Sequence, residues 1–203
     1  MGLGPPTEVE RRSRWASAHP TARRAAHGKN GMYEIEINDS QSRIAADLDR
    51  LRSVAVDVLR HEGVAAAEVS VALIDGETMR RLNREHLGHD YDTDVLSFLL
   101  DASGPEVPEP DAPRGAGKTL DGEVLISTDV AARAAEEFGW SVESEVILYL
   151  VHGLLHLTGY DDLTDDERAV MRERECFHLA RWGLTPVYAE TDGRGGPATG
   201  PAA

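Results

Sequence analysis

The sequence predicts a layered domain of the α/β (α+β) class, a small mixed sheet of about four strands covered by helices in the order βαβαββααα. Three features of the 203-residue chain point there. Short segments with the two-residue period of half-buried strands all lie before Asp129. Amphipathic segments with a 3.6-residue period separate the earlier ones. Beyond Asp129 the pattern is helical until it ends.

Taken in order, Tyr33, Ile35 and Ile37 alternate with Glu34 and Glu36, the mark of a first strand. Ile44, Leu48, Leu51, Ala55 and Val58 recur at helical spacing, and Gly63 stands where a left-handed C-terminal cap belongs. Val69, Val71 and Leu73 make a second strand. Asp75 can cap a short helix that carries Met79 and Leu82 and is closed by Gly88. VLSFLL from Val95 and EVLIS from Glu123 are the third and fourth strands. Between them DASGPEVPEPDAPRGAGK holds too much Pro, Gly and Asp for a sheet and reads as a long connecting loop. One helix then runs to about Phe138 and another from Ser141 to Leu157. A third opens at Thr164, with Glu167 three residues on as its capping-box partner.

The patterned region, residues 32–188, is expected to form a single domain. The head, residues 1–31, is rich in Arg, Ala, Pro and Ser without a sustained period and is expected to be disordered or a mis-assigned start; the Gly- and Pro-rich tail, residues 189–203, is expected to be disordered too. No stretch approaches the roughly 20 apolar residues of a membrane span, and no apolar signal core follows the N-terminal charges. A soluble, cytoplasmic protein is the expectation. Cys176, the lone cysteine, cannot form an internal disulfide and is expected as a buried thiol in a helical stripe. The net charge is −15; the head holds six Arg and Lys against Glu8 and Glu10, a contribution of +4, which leaves −19 for the rest. Such a surface disfavours nucleic acid in general, DNA included, so any RNA role needs a local basic patch, a protein scaffold or a metal.

The chemistry gathers in SVESEVILYLVHGLLHLTGYDD. From Val146 to Leu157 this helix is apolar almost all round, so it belongs in a core, and its two histidines need partners. His152 and His156, four residues apart, lie on one face about 6 Å apart along the axis, and both imidazoles can reach one metal. Gly159 stops the helix and the chain reverses, so Asp162 can return a carboxylate to the same point. A bare HxxxH pair is more often two satisfied core histidines. Here one metal on His152, His156 and Asp162 satisfies both buried rings at once and leaves a fourth position for water.

HGLLHLTGYDD, with LNREHLGHDYDTDVLSF and GEVLIST before it, resembles the YbeY family of bacterial metal-dependent endoribonucleases that act in ribosomal RNA maturation. The resemblance covers roughly Met32 to Tyr188, in the family's order. It implies one zinc per chain on the two helix histidines and the side chain after the Gly-Tyr turn, Asp162 here. It further implies a single-strand-specific endoribonuclease that acts on the 3′ end of small-subunit ribosomal RNA and in ribosome quality control, with ribosomal RNA and the ribosomal subunit or its proteins as partners. Two positions depart from the family. Asp162 stands where histidine is common, which makes the ion a weaker Lewis acid and Mn2+ or Fe2+ more plausible than with three imidazoles. Leu87 stands where an arginine is common, so an RNA-contacting role there does not carry over; His89 and Arg84 are the nearby alternatives, and the catalytic acid and base are unassigned.

Two other readings stand beside this one. A ribosome-assembly factor with a mainly structural metal fits the acidic charge. A zinc-dependent peptidase lacks its general base, since Gly153 follows the first histidine where such proteases carry Glu. A two-histidine, one-carboxylate iron oxygenase site does not suit a helix-borne HxxxH in this strand order.

Overall fold

The structure is a computed structural model that describes residues 32–105 and 112–188; the expected head and tail and the middle of the expected loop lie outside the described residues. Its elements are β1 (Tyr33–Asp39), α1 (Leu48–His61), β2 (Ala66–Ile74), α2 (Gly76–Leu87), β3 (Val95–Ser103), β4 (Thr119–Ser127), α3 (Thr128–Phe138), α4 (Val142–Thr158) and α5 (Asp165–Ala180). This is the expected order. The predicted caps fall at the element ends. Asp75 Oδ1 accepts from Thr78 N, Gly88 ends α2 with φ +75°, and Thr164 and Glu167 bond reciprocally at the start of α5. Gly63, expected as the cap of α1, takes φ +71° one residue after the actual cap, Glu62.

Several boundaries differ from the sequence reading: β4, for one, begins at Thr119 rather than Glu123. Helix α1 starts only after Asp47, whose side chain accepts from Arg50 N, so Ile44 packs on the core from the preceding loop. Strand β3 runs on through Asp101, Ala102 and Ser103, which composition assigned to the loop. Pairing with Thr119, Leu120 and Asp121 of β4 gives those polar residues backbone partners, across an irregularity between Leu99 and Asp101.

The sheet order is β1-β2-β4-β3, with β1, β2 and β4 parallel and β3 antiparallel at the edge. Alternation sends Ile35, Val69, Val71, Leu73, Val124, Ile126 and Val95 to one face, where α1 and α4 complete the main core. Ile74, Leu96, Phe98 and Leu125 point to the other face, where Met79 and Leu82 of α2 cover one end. The far end of that second face is open and acidic. Glu34 pairs in register with Glu68, Glu68 with Asp121, and Asp121 with Asp101, so carboxylates stand side by side across all four strands. Partial burial and the neighbouring negative charges push both Glu68 and Asp121 above the usual carboxylate range.

Helix α4 is buried along nearly its whole length and sits close on the sheet. Gly153 permits the approach: a Cβ there would lie 2.7 Å from Val124 Cγ1 and 2.9 Å from Ser97 Oγ. Helix α5 turns Met171, Glu175, His178 and Leu179 inward. Cys176 follows Glu175 by one residue, about 100° round the helix, and is exposed rather than buried. Among the described residues no helix is long and apolar enough to cross a membrane.

Candidate metal centre

One glycine and two basic side chains shape the end of α4. Gly159, at φ +111°, terminates the helix, and its N–H donates to the carbonyl of His156. Lys118 Nζ donates to Thr158 O at 2.9 Å and Arg114 Nη1 to Gly159 O at 2.9 Å, placing cations on the carbonyl end of the helix dipole. The Arg114 guanidinium also lies 4.8 Å from the centre of the buried Tyr160 ring. The reversed chain then returns Asp162 towards the helix, with Asp162 N donating to Asp161 Oδ1 and Arg168 Nη2 to Asp162 O.

His152, His156 and Asp162 thereby come together. Each offers a ligand atom, these atoms all lie within 4.8 Å of one another, and the group could hold a metal ion; it is the one such group among the described residues. Their side chains are 11%, 8% and 8% exposed. The outer ring nitrogens are both committed as donors, because each faces an atom that only accepts. His152 Nδ1 meets Glu175 Oε1 at 2.6 Å, and His156 Nδ1 meets the carbonyl of Tyr160 at 3.1 Å. With both rings neutral, the two Nε2 atoms are lone-pair acceptors, and they face each other at 2.9 Å with Asp162 Oδ1 3.9 Å from His156 Nε2. Two facing lone pairs repel unless a cation or a shared proton lies between them. Nitrogens at about 2.05 Å from one tetrahedral ion stand roughly 3.3 Å apart, so small ring movements fit a divalent metal here.

Protonation follows the same geometry. Burial opposes a charge on His152, but the hydrogen bond and charge of Glu175 outweigh it and raise the ring above the usual histidine range. His156 is lowered, by burial and then by the charge of His152. Glu175, 3% exposed, also receives a hydrogen bond from Tyr188 Oη at 2.6 Å on its other oxygen, so the C-terminal end of the described chain is tied to the His152 ring.

Beside the three residues opens a cavity of about 390 Å3, which Asp94, Glu145, Tyr149, Met171, Glu175 and Tyr188 help to line together with His152 and Asp162. Periodicity alone does not single out these neighbours. Glu175 carried one usable signal, a carboxylate on the inward stripe of α5 with Met171 and His178. Neither His89 nor Arg84 reaches the cavity. His89 stacks on Tyr91 at 5.2 Å, and Arg84 lies 3.7 Å from Asp90. The side chain of Leu87 lies outside the described positions.

The family model described as Endoribonuclease YbeY matches residues 34–183. Relatives that bear the name Endoribonuclease YbeY include one from Salinibacter ruber, 45% identical over 66% of this chain and 82% of its own length. Another from Moorella thermoacetica is 40% identical over 74% of this chain and 98% of its own, and one from Bacillus licheniformis is 36% identical over 74% and 96%. The solution structure of TM1509 from Thermotoga maritima aligns with a TM-score of 0.48 and 23% identity, over 79% of this chain and 99% of that one. The matched span contains His152, His156, Asp162 and Glu175, and on that breadth of similarity the chain belongs to the YbeY endoribonuclease family.

Proposed function

We propose that residues 32–188 form a single metal-dependent hydrolase domain, a single-strand-specific endoribonuclease that binds one divalent ion through His152, His156 and Asp162. One observation carries the ligand set: two buried Nε2 acceptors face each other with a carboxylate beside them and both Nδ1 atoms already used. Zinc suits two imidazoles and a carboxylate, with Mn2+ or Fe2+ as the next candidates because of Asp162. A divalent ion supplies Lewis-acid polarisation of a phosphoryl oxygen and acidifies a bound water. The chain's own residues do the rest. Glu175 fixes the tautomer of His152, the Tyr160 carbonyl fixes that of His156, and the apolar body of α4 excludes water from behind both rings. RNA is the substrate named for the relatives. Maturation of the 3′ end of small-subunit ribosomal RNA and ribosome quality control in the cytoplasm, with the ribosomal subunit or its proteins as partners, are the finer reading that the family resemblance supports.

Position 153 argues against the peptidase alternative. It packs on Val124 and Ser97 of the sheet, so a glutamate there has no path to the metal side of the helix.

The test is cleavage of single-stranded RNA by metal-loaded wild type and by His156→Ala and Asp162→Ala. The variants are expected to fall to background. Elemental analysis should give about one ion per chain, largely lost in His152→Ala. Equal residual activity in wild type and variants would overturn the enzyme reading and leave the assembly-factor role.

A further inference from the structure

Glu145 stands apart from the three clustered residues. It is 2% exposed on α4, its Oε1 has no hydrogen-bond partner, and it lines the cavity that also reaches His152 and Asp162. A buried acceptor left without a donor is costly, and this one lies two helical turns from the metal ligands rather than among them.

The lining says which ligand suits it. Asp92, Asp94, Glu137 and Glu175 surround the cavity with carboxylates against Arg168 and Arg172, so a phosphate is repelled from its interior. Val130, Leu148 and Met171 supply apolar wall, and Tyr149 and Tyr188 supply aromatic rings. A flat, uncharged group with π faces and N–H donors on its edge matches both properties. The volume, about 390 Å3, lies within the range of roughly 300–1,000 Å3 of small-molecule pockets. We infer that this cavity receives an unstacked nucleobase of the RNA whose phosphate lies at His152, His156 and Asp162, and that Glu145 accepts an N–H from the base edge.

The inference rests on the proposed ribonuclease function and deepens it. A base held in a duplex is paired and stacked and cannot enter, so the cavity selects for single-stranded RNA by shape. Carboxyl acceptors favour bases with exocyclic amino groups, adenine and cytosine over uracil. Burial and the charge of Asp94 push Glu145 up to about 7, against a hydrogen bond from Tyr149. Its charge is thus partly withdrawn at neutral pH, which reduces repulsion of the neighbouring phosphate.

Adenosine, cytidine and uridine, which carry no phosphate, are titrated into metal-loaded protein by saturation-transfer NMR and calorimetry, with inorganic phosphate as the control ligand. Adenosine and cytidine are expected to bind more tightly than uridine, and phosphate is not expected to displace them. Glu145→Leu should weaken adenosine by about tenfold or more, as the loss of one hydrogen bond to an ionisable group implies, and Val130→Trp should block it by filling the cavity. Glu145→Gln, which keeps an acceptor, should restore most of the affinity, and metal content should be unchanged in all three. No nucleoside binding to wild type, or binding in Glu145→Leu and Val130→Trp as tight as in wild type, overturns the inference. A second arm uses a cleavable single-stranded RNA with an abasic residue at each position in turn. One position next to the cut is expected to suppress cleavage. Cleavage indifferent to every abasic residue sinks the pocket but spares the ribonuclease, whereas no cleavage of any RNA sinks the ribonuclease and leaves nucleoside binding to decide the pocket.

Discussion

Glu175 and Gly153 act on α4 from opposite sides. Glu175 holds His152 through Nδ1, so its removal should loosen the metal rather than the fold. Glu175→Ala is expected to weaken zinc by about 10–100-fold in chelator competition, with Glu175→Gln intermediate because it still accepts a hydrogen bond. Equal zinc affinity in all three proteins would remove Glu175 from the site. Gly153→Ala should do the reverse. Its Cβ would overlap Val124 and Ser97, costing about 1–3 kcal/mol in urea unfolding while metal stoichiometry stays near one. That His152, His156 and Asp162 come together was legible because two polar rings in an apolar helix demand a partner. Their neighbours were not, because helical period gives the face of a residue and not what another helix brings against it. Cys176 shows the same limit from the other direction, one residue off the inward stripe of α5 and therefore exposed.

At the scale of elements, α5 is clamped to the end of α1 by a buried ionic cluster. Glu62, fully buried, accepts from His178 Nε2 at 2.7 Å and from Arg174 Nε at 3.1 Å. Burial alone would raise this carboxyl, but the hydrogen bonds of His178 and Arg174 outweigh it and hold the group below its ordinary value. A depressed folded value gives stability that is present above the unfolded pKa, near 4.5, and is lost as pH falls through the folded value. Glu62→Gln should therefore cost up to about 3–5 kcal/mol at pH 7, with the gap to wild type closing in acid. A pH-independent gap would show that ionisation of Glu62 contributes nothing. Glu68 has the opposite sign: its folded value is raised, so the ionised row destabilises the sheet and the penalty eases as pH falls towards the unfolded value. Glu68→Gln should stabilise by roughly 0.2–1 kcal/mol at low salt, and less at high salt. Element order and caps were readable because cap chemistry and apolar period are local. The extension of β3 was not, since its polar end is held by partners across the sheet.

Across the whole molecule, the fold lies within the span of family similarity, and the head carries no apolar period that could pack on it. Deletion of residues 1–31 is expected to leave Tm unchanged within error; a large fall would show that the head packs on the domain. The in-register carboxylates of Glu34, Glu68, Asp121 and Asp101 also give the molecule a front and a back. They crown the sheet face opposite α4, so a polyanionic strand that drifts towards them meets a repulsive field before any contact forms. Brownian encounters on that side are opposed, and those from the helical side are favoured by comparison, because a cation held there would add an attractive spot to an acidic particle.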